Sequence, residues 1–243
     1  MSPTRRILFL TIVIASAASA TGQKIAGGKF NDAIKRSEGS AEMISTVAQL
    51  SQNGIPKNLM EQAAAIGVFP CKKIDLLIEH AILCPGVIVS RTQNSWSLPA
   101  FYRFGSGGFG RPDPALAQAN ALILLFLTKA PVDWSGKASL LRMRETVAGP
   151  LGSITEEQAS ALINGHVIAY ALRKDKLRGA MLKSDSWIGI GLVEDNNINA
   201  PLYGIKGREV LAGRKTIPAS LPAGISAFQA AVQKHWPVAG NRP

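Results

Sequence analysis

The chain has 243 residues, of which 47% are hydrophobic, and its 27 lysines and arginines outnumber 16 acidic residues to give a net charge of +11. That length favours one large domain with a real core, and the basic balance points to anionic partners such as phospholipid headgroups, nucleic acid or cell-wall polymers. The cations are scattered and no zinc-finger or basic-zipper pattern occurs, which sets nucleic acid aside.

In chain order, Arg5 and Arg6 form a basic region, Ile7 to Ile14 an apolar run and Ala18-Ser19-Ala20 a small-residue cleavage site. This is the pattern of a secretory signal peptide over residues 1–20, and the apolar run is too short to span a bilayer. The chain stays basic after losing two arginines. Residues 21–39 read as a flexible basic leader carrying Lys24, Lys29, Lys35 and Arg36. Ser40 then suits the N-cap of a helix with Met43, Ile44, Val47 and Leu50 on one face, ending at Asn53-Gly54. Pro56 suits the first turn of a second helix with Leu59, Met60, Ala63 and Ala64 as its stripe, stopped before Gly67.

Beyond Pro70 the texture changes to short apolar runs broken by Gly and Pro, which predicts antiparallel strands over 74–78, 86–90 and 97–104. Residues 115–127 include ALILLFL, read as a strand entered from a turn after Pro114. Further strands are expected over 140–148, 166–172, 177–183 and 187–192, with a sharp turn at Gly149-Pro150-Leu151-Gly152. Residues 156–163 form a loop or helical turn, Arg173-Lys174-Asp175-Lys176 a charged hairpin tip, and 194–199 a polar segment. Ile225, Phe228 and Val232 share one face of a C-terminal helix, with Trp236 nearby. The fold class is therefore α+β: a single domain with a mainly antiparallel sheet or barrel-like core, N-terminal helices and a C-terminal helix.

Export bears on Cys71 and Cys84, the only cysteines. In an oxidising compartment they are disulfide candidates, and closing a loop of that size stabilises by about 3 kcal/mol; two buried thiols on apolar strands are the alternative. Neither they nor His80, His166 and His235 show metal-ligand spacing, so no metal and no cofactor is expected.

Five motifs occur in order: Gly67-Val68-Phe69-Pro70, Trp96-Ser97-Leu98-Pro99-Ala100-Phe101, the glycine-rich Gly105 to Gly110, Ala148-Gly149-Pro150-Leu151-Gly152, and Asn199 to Gly204. Together they resemble the SYLF domain family over roughly Ser40 to Gly213, within a domain placed at residues 40–236 ahead of a tail at 237–243. The resemblance implies a non-enzymatic module that binds acidic phospholipids. Actin binding, known in some fungal members, does not suit an exported chain and is not carried over. Two stretches depart from the family pattern. Leu83-Cys84-Pro85-Gly86 stands where a glycine-rich junction is usual, and Arg111-Pro112-Asp113-Pro114 replaces a Gln-x-Gly element.

Competing chemistries are weaker. Gly105-Ser106-Gly107-Gly108-Phe109-Gly110 matches G-x-G-x-x-G, but Arg111-Pro112-Asp113-Pro114 interrupts where a dinucleotide site needs a helix N-terminus. Phe104 precedes Ser106 where a nucleophile elbow needs glycine, and no spacing selects a triad from Ser97 or Ser106, His166 and Asp185, so no catalytic residue is named. Glu156-Glu157 and Glu194-Asp195 read as solvated loop charges, although the second pair, with Asn196, Asn197 and Asn199, could hold a cation weakly without matching a calcium-loop spacing. The expected contacts to anionic lipid are Lys24, Lys29, Lys35 and Arg36 in the leader, Arg103 and Arg111 beside the glycine-rich stretch, and Arg173, Lys174, Lys176 and Arg178 at the hairpin. The function expected is that of a secreted or periplasmic protein peripheral at a membrane. The alternatives are a hydrolase or phosphate-binding enzyme using Gly105 to Gly110, and a structural envelope protein with a protein partner.

Overall fold

A computed structural model describes residues 13–50, 53–75, 80–108, 118–127, 140–143, 146–162, 167–182, 190–214 and 221–238. The helices are α1 (Val13–Gln49), α2 (Lys57–Gln62), α3 (Glu156–Leu162), α4 (Asn196–Tyr203), α5 (Gly207–Leu211) and α6 (Ala227–His235). The strands are β1 (Ala65–Pro70), β2 (Lys72–Asp75), β3 (His80–Ser90), β4 (Ala100–Gly108), β5 (Ala121–Phe126), β6 (Leu140–Met143), β7 (Val147–Ala148), β8 (Val167–Arg173), β9 (Lys176–Gly179) and β10 (Ile190–Glu194).

The strands form one sheet in the order β6-β10-β4-β3-β1-β5-β8-β7, with β2 added to β3 and β9 to β8. Every pairing is antiparallel except β7 with β8. The sheet curls into a half-barrel, and the α+β expectation holds. Its centre is β1 and β5, whose apolar runs AIGVF and ALILLF are buried at every position, as strands covered on both faces must be. Helices α1 and α6 pack on each other and against β3, while α4 and α5 pack on β4.

β3 is long enough to serve two partners along one edge. Val68 pairs with Val87 in β1, and Lys72 with Leu83 in β2, so β1 and β2 form one strand broken around Pro70 and Cys71. Cys71 is bonded to Cys84 across that break, which resolves the cysteine alternatives in favour of a disulfide. Pro85, which has no N–H, and Gly86 follow directly. A Cβ on Gly86 would lie 2.2 Å from the Val68 carbonyl oxygen, so the glycine allows β1 to approach β3 closely.

Several sequence expectations are overturned. Residues 21–39 are not a flexible leader: they belong to α1, which also runs through Ala18-Ser19-Ala20. Ser40 is no N-cap, because it lies inside α1, buried, and its hydroxyl donates to the Val68 carbonyl at 3.3 Å. Ser37 likewise donates to Ile225 O at 2.6 Å and accepts from Phe228 N at 3.1 Å, joining α1 to α6. Small polar residues here allow close packing and satisfy buried backbone groups. The second helix stops at Gln62, and Gly67-Val68-Phe69-Pro70 is strand β1. Arg91 lies over the C-terminal end of α2, donating to Ala63 O and Met60 O, and stacks on Trp96 at 4.5 Å. The polar segment 194–199 is the end of β10 and the start of α4, and α5 has no counterpart in the predicted elements.

Candidate functional site

Two of the motifs behind the SYLF resemblance meet in space. Asn199, fully buried in α4, accepts from Phe101 N at 2.8 Å and donates to Phe101 O at 2.8 Å, acting on β4 as a neighbouring strand would. The Tyr203 hydroxyl donates to Pro99 O at 2.8 Å. Trp96 donates through Nε1 to Trp236 O at 3.0 Å, and Ser97 Oγ accepts from Ser90 N and donates to Leu98 O. The Trp-Ser-Leu-Pro-Ala-Phe segment is thus held by α4 and by the chain just after α6. Its side chains are spent on the fold, with Trp96 and Phe101 as core anchors. The Ala-Gly-Pro-Leu-Gly motif also serves packing. A Cβ on Gly149 would lie 2.0 Å from Tyr170 Cζ, and the Tyr170 hydroxyl donates to Pro150 O at 3.1 Å.

Beside this junction a carboxylate is buried against two guanidiniums. Asp195 is 2% exposed, so it is not a solvated loop charge. It accepts from Arg103 Nε at 2.8 Å and Nη2 at 2.9 Å, and from Arg36 Nη1 at 2.8 Å. The hydrogen bonds that Arg103 donates to Asp195 are the main cause that raises the Arg103 pKa above its ordinary value. Arg36 also pairs with Asp32, one turn earlier in α1. Asp195 therefore fastens α1 to β4 at the start of α4. Glu194, also buried, accepts from Asn196 Nδ2 at 2.8 Å and lies 3.9 Å from Arg208. Of the oxygens that sequence reading offered to a cation in this stretch, those of Glu194, Asp195, Asn196 and Asn199 are engaged with protein donors. Among the described residues no three His, Cys, Asp or Glu side chains converge as a metal site.

The described part of the glycine-rich stretch is not a loop. Gly105 to Gly108 are the end of β4, where Gly105 is flanked by Leu83 of β3 and Gly191 of β10. Gly105 and Ser106 have strand neighbours on both sides, β3 and β10, whereas Gly107 and Gly108 pair with β3. Phe109, Gly110, Arg111, His166 and Asp185 lie outside the described residues.

The hairpin tip builds a different kind of site. In β8 and β9 the opposed pairs are Arg173 with Lys176, Leu172 with Leu177 and Ala171 with Arg178. Opposed residues share a face and alternate residues return to it. Leu172 and Leu177 accordingly face the core, while Arg173, Lys176 and Arg178 share the other face around the small side chain of Ala171. These residues, with Gln118 and Lys174, line an open cleft of about 310 Å³. Gln118 accepts from Arg173 Nη1 and orients that guanidinium. Lys174 has φ 55°, the only positive φ at a non-glycine position among the described residues, and its N–H donates to Asn120 Oδ1 at 2.6 Å. Such a turn position favours glycine, so a lysine there carries a backbone cost of about 1 kcal/mol. Asp175 contributes the single acidic group of the cleft among the described residues.

The ten sequence-predicted lipid contacts are therefore not one face. The four hairpin cations come together. Arg103 lies in β4, four strand spacings from β8 or about 19 Å along the sheet, and is committed with Arg36 to Asp195. Lys29 is half-buried and Lys35 exposed on α1. The side chain of Lys24 and all of Arg111 lie outside the described residues. Gln118, Asn120 and Asp195 were missed because each acts with partners far away in sequence. Among the described residues no helix is long and apolar enough to cross a membrane. Compared with protein-family models, with curated proteins and with solved structures, the chain gives no match.

Proposed function

We propose that this chain is an exported, non-enzymatic, SYLF-like protein that binds anionic phospholipid surfaces reversibly, with the β8–β9 hairpin tip as its principal contact. The observation that carries this reading is the exposed cluster of Arg173, Lys174, Lys176 and Arg178 around one cleft, with a lysine kept at a turn position where glycine costs less. Each cation near an anionic leaflet contributes about 1 kcal/mol. Four cations opposed by Asp175 thus supply about 3 kcal/mol, a reversible attachment that Lys35 on α1, which is exposed, can strengthen. Export is supported by the order of basic, apolar and small residues in the first twenty positions.

Attraction of this kind is screened over about 8 Å at physiological salt. Co-sedimentation with vesicles containing phosphatidylglycerol should be strong at low salt, fall steeply as salt rises, and be absent with phosphatidylcholine alone. Failure to sediment with acidic vesicles at low salt would refute the proposal.

A further inference from the structure

We infer that the hairpin cleft is a discrete site for a phosphate monoester dianion, whether carried on a lipid headgroup or on a small soluble ester. This rests on the proposed reading that the hairpin tip is the contact surface, and it adds stereochemistry to what bulk charge alone would do.

Arg173 and Lys176 are directly opposed, as are Ala171 and Arg178, so three cationic side chains rise from one face around a residue that offers only a methyl group. Ala171 is buried and forms the floor, while the cations form the walls. The fourth cation, Lys174, is at the tip, held by the hydrogen bond from its own N–H to Asn120. Gln118 holds one end of the Arg173 guanidinium and so fixes the plane of its remaining donors. A planar guanidinium oriented in advance suits an anion that presents two oxygens at once.

The size and charge select further. A volume of about 310 Å³ is at the small end of ligand sites and suits one compact headgroup. Four cations and Asp175 leave an excess positive charge of +3 that a phosphodiester, with one charge, neutralises less than a monoester with two. A terminal phosphate also presents three free oxygens to donors converging from several sides, where a diester presents two. Among the described residues no histidine lines the cleft, so a change in binding between about pH 5 and 7.5 would report the second ionisation of the phosphate, near pH 6.

The test uses phosphatidylcholine vesicles containing either phosphatidic acid or phosphatidylglycerol, adjusted to equal surface potential, with glycerol 3-phosphate as the soluble monoester. The expected result is about tenfold tighter binding to phosphatidic acid at equal potential. That preference should decline as pH falls through about 6, whereas phosphatidylglycerol binding should not show the step. Arg173→Lys keeps the charge but loses the fork, and should cut the preference to about twofold or threefold. Lys174→Gly relieves the left-handed backbone, so it should fold at least as stably as the natural chain and still bind phosphatidic acid several-fold more weakly. Lys57→Gln removes a distant exposed cation on α2 and controls for net charge; it should leave the preference intact.

Equal binding to both lipids at equal potential, with no pH step, would overturn the monoester site and leave the membrane-binding proposal standing. Binding of glycerol 3-phosphate without vesicle binding would uphold the site, assign it to a soluble ester and refute the membrane proposal. Binding to neither would overturn both.

Discussion

Asn199→Ala should be among the most damaging single changes outside the apolar core. The amide holds both polar groups of Phe101, each at 2.8 Å, in a fully buried setting. Removing it leaves the Phe101 N–H without that acceptor, which costs about 1–3 kcal/mol. Phe101 O retains the Asp195 N–H at 2.9 Å, so the second loss is only about 0.5–1.5 kcal/mol. Together these give about 1.5–4.5 kcal/mol, or a drop of about 3–18 °C in Tm for a domain of this size. Urea unfolding should show a lower midpoint at unchanged m. Asn199→Asp sharpens the test, because an ionised carboxylate still accepts from Phe101 N but repels Phe101 O. Protonation restores a donor, so the folded state raises the pKa of the introduced carboxyl. The stability gained from the protonated form is present below its unfolded value near 4 and is lost as pH rises through the folded value. An Asn199→Ala cost below about 1 kcal/mol, or an Asn199→Asp defect independent of pH, would refute the view that this residue clasps β4 to α4.

Replacing both Cys71 and Cys84 by Ala should lower stability by about 2–3 kcal/mol in urea unfolding, and thiol labelling of the unreduced chain should find no reactive cysteine. Gly149→Ala should cost about 3 kcal/mol or more, read in the same assay, because its Cβ would occupy the space of the Tyr170 ring and displace the hydroxyl from Pro150. Burial raises the pKa of Tyr102, Tyr170 and Tyr203, which are all 3 tyrosines of the chain. Their neutral forms therefore add stability below the unfolded value near 10, and this is lost as pH rises toward the folded values. Phenolate absorbance should stay silent at about pH 10 and then rise together with unfolding.

The strands were legible because their apolar runs are short and bounded by Gly and Pro, and the hairpin tip because its charges are consecutive. The continuity of α1 was hidden by Gly27, Gly28, Gly39 and its serines. In isolation these read as breakers, whereas in the fold Ser37 and Ser40 bond to carbonyls 188 and 28 residues away. Strand β1 was obscured because Leu59, Met60, Ala63 and Ala64 keep a helical spacing up to its edge, and strand pairing on both sides then overrides it. Helix α4 begins in a run of asparagines and contains Pro201, so its local preference is for a loop; packing of Ile198, Leu202 and Tyr203 decides otherwise. Arg103 was rightly picked out as a cation, but its partner Asp195 is 92 residues away, and no local pattern announces that the pair is structural.

The most direct test of the account compares two charge-removal variants in vesicle sedimentation, each first checked for unchanged unfolding. One replaces Arg173, Lys174, Lys176 and Arg178 by Gln; the other replaces Lys29 and Lys35 on α1 by Gln. The account predicts that the hairpin variant loses most binding to acidic vesicles, on the order of a hundredfold for about 3 kcal/mol, while the α1 variant loses only a few-fold. Full binding by the hairpin variant would contradict it.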